Sequence, residues 1–145
     1  MSTRAIIAFA TEDGRWRGVF NHWSGHTQHL GKALIRRVSQ LKGDLAAFIA
    51  EVIEGCPEGW SDFTKKEKSE DAIGFLEGTF DGVVATGDSS VNELVFDSHY
   101  LYLIVVPKRR LYVFEIKEGP MRPFGMTTFD AAGAAKPRTL PSVEE

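Results

Sequence analysis

The stretch YLYLIVVPKRRLYVFEI, residues 100 to 116, limits the fold more than any other part of the chain. Two apolar runs of strand length flank Pro-Lys-Arg-Arg. Aromatic and β-branched residues suit a pleated surface, and Pro107 has no N–H to give to a ladder, so it belongs at a turn. The segment predicts an antiparallel hairpin with a basic tip. Tyr112, Phe114 and Ile116 share one face of its second strand, because strand side chains alternate. An isolated hairpin is marginal in water, so this one needs partners.

The N-terminus predicts a second hairpin. RAIIAFA (4 to 10) and WRGVFNHW (16 to 23) flank Asp13-Gly14, a turn pair in which glycine supplies positive φ. Trp16, Gly18, Phe20 and His22 share one face, and Arg17, Val19, Asn21 and Trp23 the other. Both faces mix apolar and polar groups, so the core side stays open.

Between the hairpins the period changes to that of a helix. Leu30, Leu34, Val38 and Leu41 predict a helix near 27–41, with Thr27 as N-cap and Gly43 as its stop. Asp44 caps a second, near 44–54, with Leu45, Phe48, Ile49, Val52 and Ile53 in one stripe. DAIGFLEG (71 to 78) reads as a short third helix, 56–71 as a loop, and 82–87 as a short strand. From Lys117 on come four of the six prolines and many small residues. That composition predicts a tail.

The expected class is α+β: an antiparallel sheet of two hairpins (about 4–23 and 100–117), two or three helices packed on one face, and a flexible C-terminal tail. Residues 1–118 are expected to form one domain and 119–145 a partly disordered tail. Ile7, Phe9, Leu34, Val38, Phe48, Val52, Leu103 and Phe114 are the expected core.

Composition narrows function. The net charge of -3 argues against a general phosphate-backbone binder, so nucleic acid is not the expected partner. The single cysteine, Cys56, permits no internal disulfide and suits the cytoplasm. No secretory leader is legible, and no apolar run has the length of a membrane span.

NHWSGHTQHLG (21 to 31) concentrates three of the four histidines. His22, His26 and His29 are the candidate metal ligands, since a strand-to-helix bend can bring three side chains together and zinc takes three or four. The spacing is not that of a helical HExxH pair, and Cys56 is remote. The competing reading is a packed strand end running into an exposed helix start. No cofactor is expected; zinc is the alternative. Arg4, Arg15 and Arg17 lie on the first hairpin, and pairing across Asp13-Gly14 would bring Arg4 toward His22. Asp97-Ser98-His99 is not read as a triad, because neighbours on an extended segment point apart.

Thr3, Arg4, Asp13, Gly14, His22, Trp23, Gly25 and Gly31 carry a resemblance. The first 30 or so residues resemble a family of small uncharacterised proteins common in bacteriophages and in bacterial genomes near mobile elements. Its members begin with a (Ser/Gly)-Thr-Arg strand and a hairpin, turn through a His-Trp-x-Gly step into a helix, and end in a Tyr-rich hairpin. This chain departs from the pattern at Ser24, where the family usually has Asp, and at His26, where it usually has Tyr. The pattern therefore covers His22 but neither His26 nor His29.

With no coherent catalytic set, the expected function is a non-enzymatic interaction protein. The resemblance implies a phage-type accessory or host-modulating protein that binds a host protein. Arg4, His22, Trp23 and Gly25 are the expected binding residues. The alternative is a small ligand-binding or metal-dependent enzyme domain with its site at the His22–His29 junction. The aromatic hairpin would also permit a homodimer.

Overall fold

The structure is a computed structural model that describes residues 3–87, 93–116 and 120–139. Its first two strands are β1 (Ala5–Ala10) and β2 (Arg15–Asn21). A π-helical turn at Thr27–Gly31 leads into α1 (Lys32–Gln40), and α2 (Leu45–Ile49) runs on into a second π-helical turn at Ala50–Glu54. Then come β3 (Trp60–Asp62), β4 (Glu67–Lys68), β5 (Leu76–Phe80), β6 (Ala85–Gly87) and α3 (Glu93–Asp97). β7 (Tyr100–Val105), β8 (Arg110–Glu115), β9 (Arg122–Phe129) and β10 (Ala135–Thr139) follow.

The strands form one ten-stranded mixed sheet in the order β10-β9-β8-β7-β1-β2-β3-β4, with β5 on β2 and β6 on β5. The β1–β2 and β7–β8 pairs are antiparallel, and Gly14 turns the first at φ +77°. The two pairs meet through β1 and β7, which run parallel, Ala5 beside Tyr100 through Phe9 beside Ile104.

This corrects the expected sheet of two antiparallel hairpins with helices on one face. The central contact is parallel, and both faces of the sheet are covered. The physical reason lies in the central strands: Ala5, Ile6, Ile7 and Ala8 are all buried, as are Leu101 to Val105. A strand covered on both sides reads as a continuous apolar run, not as an alternation. On one face Ile7, Val19 and Tyr102 pack with Leu34, Val38, Phe48 and Val52 of the helices. On the other, Ile6, Trp16, Phe20, Leu103 and Phe114 pack with Leu76, Ala85 and Val95.

The segment expected to be loop and third helix supplies that second cover. Residues 76–80 are a strand, with Leu76 and Gly78 facing inward against β2. Gly78 is required there: a Cβ would lie 2.5 Å or less from the Trp16 indole, whose Nε1–H donates to the Thr86 carbonyl at 2.9 Å. β6 is bridged to Met121, whose N–H donates to the Ala85 carbonyl at 2.7 Å, so the β5–β6 strap closes over the second core.

The expected flexible tail is also corrected. β9 pairs with β8 along its whole length, β10 pairs with β9, and Phe129 is buried in the helix-side core. The turn between β9 and β10 is held by Arg109, whose guanidinium donates to the carbonyls of Gly43 and Asp130 at 2.9 and 2.7 Å. Residues 140–145 lie outside the described part. Of the expected core, all but Phe9 are fully buried; Phe9 is partly exposed where β1 ends. Among the described residues, no helix is long and apolar enough to cross a membrane.

Candidate functional site

The chain leaves β2 by extending its parallel contact with β3. The His22 N–H donates to the Trp60 carbonyl at 3.0 Å and the Trp23 N–H to the Ser61 carbonyl at 2.9 Å. Buried Asn21 locks the bend from within. Its amide donates to the Trp23 carbonyl at 2.6 Å and its side-chain oxygen accepts the Phe63 N–H at 2.9 Å. Asn side chains suit such bends because they replace backbone partners the turn removes.

Ser24 then takes the left-handed conformation, φ +61°, and its hydroxyl donates to the buried Asp62 carboxylate at 2.9 Å. Asp62 also accepts the Thr64 N–H at 3.0 Å. Gly25 follows at a close crossing: its N–H donates to the Thr3 carbonyl at 2.8 Å, and a Cβ would lie 2.5 Å from that oxygen. Its carbonyl accepts the Tyr102 hydroxyl at 2.6 Å. Burial holds the Tyr102 pKa well above the ordinary phenol value, so the group remains a donor. Gly25 is thus a fold residue, buried and closed to a ligand.

The histidines part company here. The His22 ring packs edge-on against Phe20 of the second core and against Trp23, at 5.9 and 4.6 Å. His26 packs on the other side of the sheet, edge-on to Tyr100 at 6.0 Å, where Tyr100 joins the helix-side core. His26, not Thr27, caps the helix: its Nδ1 accepts the Gln28 N–H at 3.4 Å. His29 is exposed on the first turn. Among the described residues, no three His, Cys, Asp or Glu side chains converge as a metal-ligand set.

The other candidates also resolve into structure. The β1–β2 register ends with Ala5 opposite Asn21, so Arg4 and His22 each lie one residue beyond the paired strands. The Arg4 backbone pairs with His99, accepting the His99 N–H at 2.8 Å and donating to its Nδ1 at 3.2 Å. Arg15 and Arg17 both reach Glu77 on β5, at 3.9 and 3.4 Å, and Arg17 also lies over the Phe75 ring. Cys56 is buried. Burial first, and its hydrogen bond to Glu58 second, push the thiol up to about 12, which removes it as a nucleophile at neutral pH.

What remains outward is Trp23. It is 48% exposed and is the one large aromatic so displayed among the described residues. Beside it lies a concavity of about 390 Å³ shared by His22, Glu67, Glu70, Asp71 and Ile73. Lys68, also in its wall, is turned to Glu58 at 3.7 Å. Trp23 and His22 stand out in the sequence, and the acidic wall does not. Glu67 and Glu70 were legible only as a charged loop, since nothing local to that loop says that it pairs with β3.

No protein-family model matches the chain, and neither a curated protein nor a solved structure matches it.

Proposed function

We propose that the protein is a non-enzymatic interaction module, of the accessory or host-modulating kind found in phage, that binds a protein partner through Trp23. One observation carries this reading: the Asn21 and Ser24 side chains are consumed in fixing the backbone, and the product they hold outward is an exposed indole. Asn21 and the Trp60–Ser61 backbone fix both sides of Trp23. A preorganised aromatic loses little entropy on binding, and interface hot spots are enriched in tryptophan. The carboxylates of Glu67, Glu70 and Asp71 select a basic partner segment, whose Arg or Lys can also lie over the indole face.

A photo-crosslinking amino acid placed at Glu70, in cells that naturally make the protein, tests this. A discrete protein adduct is expected from position 70, lost when Trp23→Ala is added, and absent when the crosslinker stands at Lys136 on the far edge strand. No adduct, an adduct insensitive to Trp23→Ala, or the same adduct from position 136 contradicts it.

A further inference from the structure

A large concavity lies at the opposite end of the sheet from Trp23. The β1–β2 and β7–β8 turns, the β5–β6 tip and α2 surround a cleft of about 780 Å³. That volume falls within the range of about 300–1,000 Å³ usual for small-molecule sites. Both cores surface there. Phe9 and Ile49 come from the helix-side core, Phe80 and Val105 from the other, and Val106 is exposed at the lip.

The rim is acidic. Glu12 stands on the β1–β2 turn, Glu54 at the end of the second helical segment, and Asp81 on the β5–β6 turn. The side chains of Glu12 and Glu54 have no partner among the described residues. Asp81 accepts the Val83 and Val84 N–H groups at 2.9 and 2.7 Å through one oxygen, leaving the second open. The opposing charge is Lys108, whose ammonium approaches Gly82.

From this we infer that the cleft binds a small amphipathic cation, an alkyl or aryl group bearing an ammonium. The apolar floor takes the hydrocarbon, and the three carboxylates outweigh the one lysine at the rim. An anionic amphiphile of equal length gains the same floor contacts but meets the wrong charge.

The test titrates the intact protein with octyltrimethylammonium and, separately, with octanoate, by calorimetry at low salt, with circular dichroism to confirm folding. Saturable binding of the cation is expected, about tenfold tighter than that of octanoate. Glu12→Gln/Glu54→Gln replaces two exposed, unpartnered carboxylates and should abolish the preference. Lys108→Met should tighten the cation. Ala46→Trp, at an exposed position in the cleft wall, should block both probes. Absence of saturable binding, equal binding of the two probes, or a preference that survives the double glutamine variant overturns the assignment.

Discussion

The Tyr102 hydroxyl donates to the Gly25 carbonyl at 2.6 Å, across 77 residues of sequence. It ties the turn that follows β2 to β7, a central strand of the sheet. Tyr102→Phe removes the donor and leaves a buried carbonyl unpaired, which costs about 1–3 kcal/mol. Urea denaturation measures this directly; a loss below about 0.5 kcal/mol means that water replaces the hydroxyl.

Gly25→Ala should be worse. The new methyl would lie 2.5 Å from the Thr3 carbonyl and 2.9 Å from the Ala5 Cβ, on the segment that enters β1. A loss of more than about 3 kcal/mol, or failure to fold, is expected. A melting temperature near wild type would show that the crossing can open.

Arg109 has φ +51° and bonds three carbonyls, those of Gly43, Phe129 and Asp130. Arg109→Ala should cost about 1.5–3 kcal/mol. Its signature is local: amide exchange should rise in β9 and β10 before it rises in β1 or β7. Uniform loss of protection would show that the C-terminal strands do not open separately.

Cys56 gives a pH dependence. Its folded pKa, raised to about 12, lies above the ordinary thiol value of about 8.5, so the unfolded state loses this proton first. Stability from this group is full below the unfolded value and is lost as pH climbs toward the folded one. The difference in stability between wild type and Cys56→Ser should therefore shrink between about pH 9 and 12. At pH 8, a disulfide reagent should modify native Cys56 only as fast as the chain opens, and denatured Cys56 at once.

The two hairpins were legible because turn chemistry and strand length are local. The face of β2 was not. Trp16 and Phe20 serve one core and Val19 the other, so each face of the strand mixes polar with apolar for a reason outside its own sequence. The segment 71–78 reads as a short helix, yet its end opens the strand Leu76–Phe80, because the missing side chain of Gly78 is what admits the Trp16 ring. The prolines of the C-terminal segment suggested a tail. Pro137 instead sits on β10 at the sheet's edge, where no ladder N–H is needed. In the candidate site, His22 and Trp23 stood out by type, while Asn21, Asp62 and Tyr102, which hold them, gave no signal beyond ordinary polar and aromatic residues.

The most direct measurement compares Trp23→Ala with wild type for both stability and partner capture. Removing a half-exposed indole whose backbone is fixed by Asn21 and β3 should shift stability by no more than about 1 kcal/mol. Quantitative co-purification from the cells that make the protein should nevertheless lose the captured partner at least about tenfold, the effect of a binding hot spot. Val83→Ala, at an exposed position on the β5–β6 turn, should lose neither. A Trp23→Ala protein that keeps its partner, or one that loses it only because it no longer folds, contradicts a displayed binding residue at this turn.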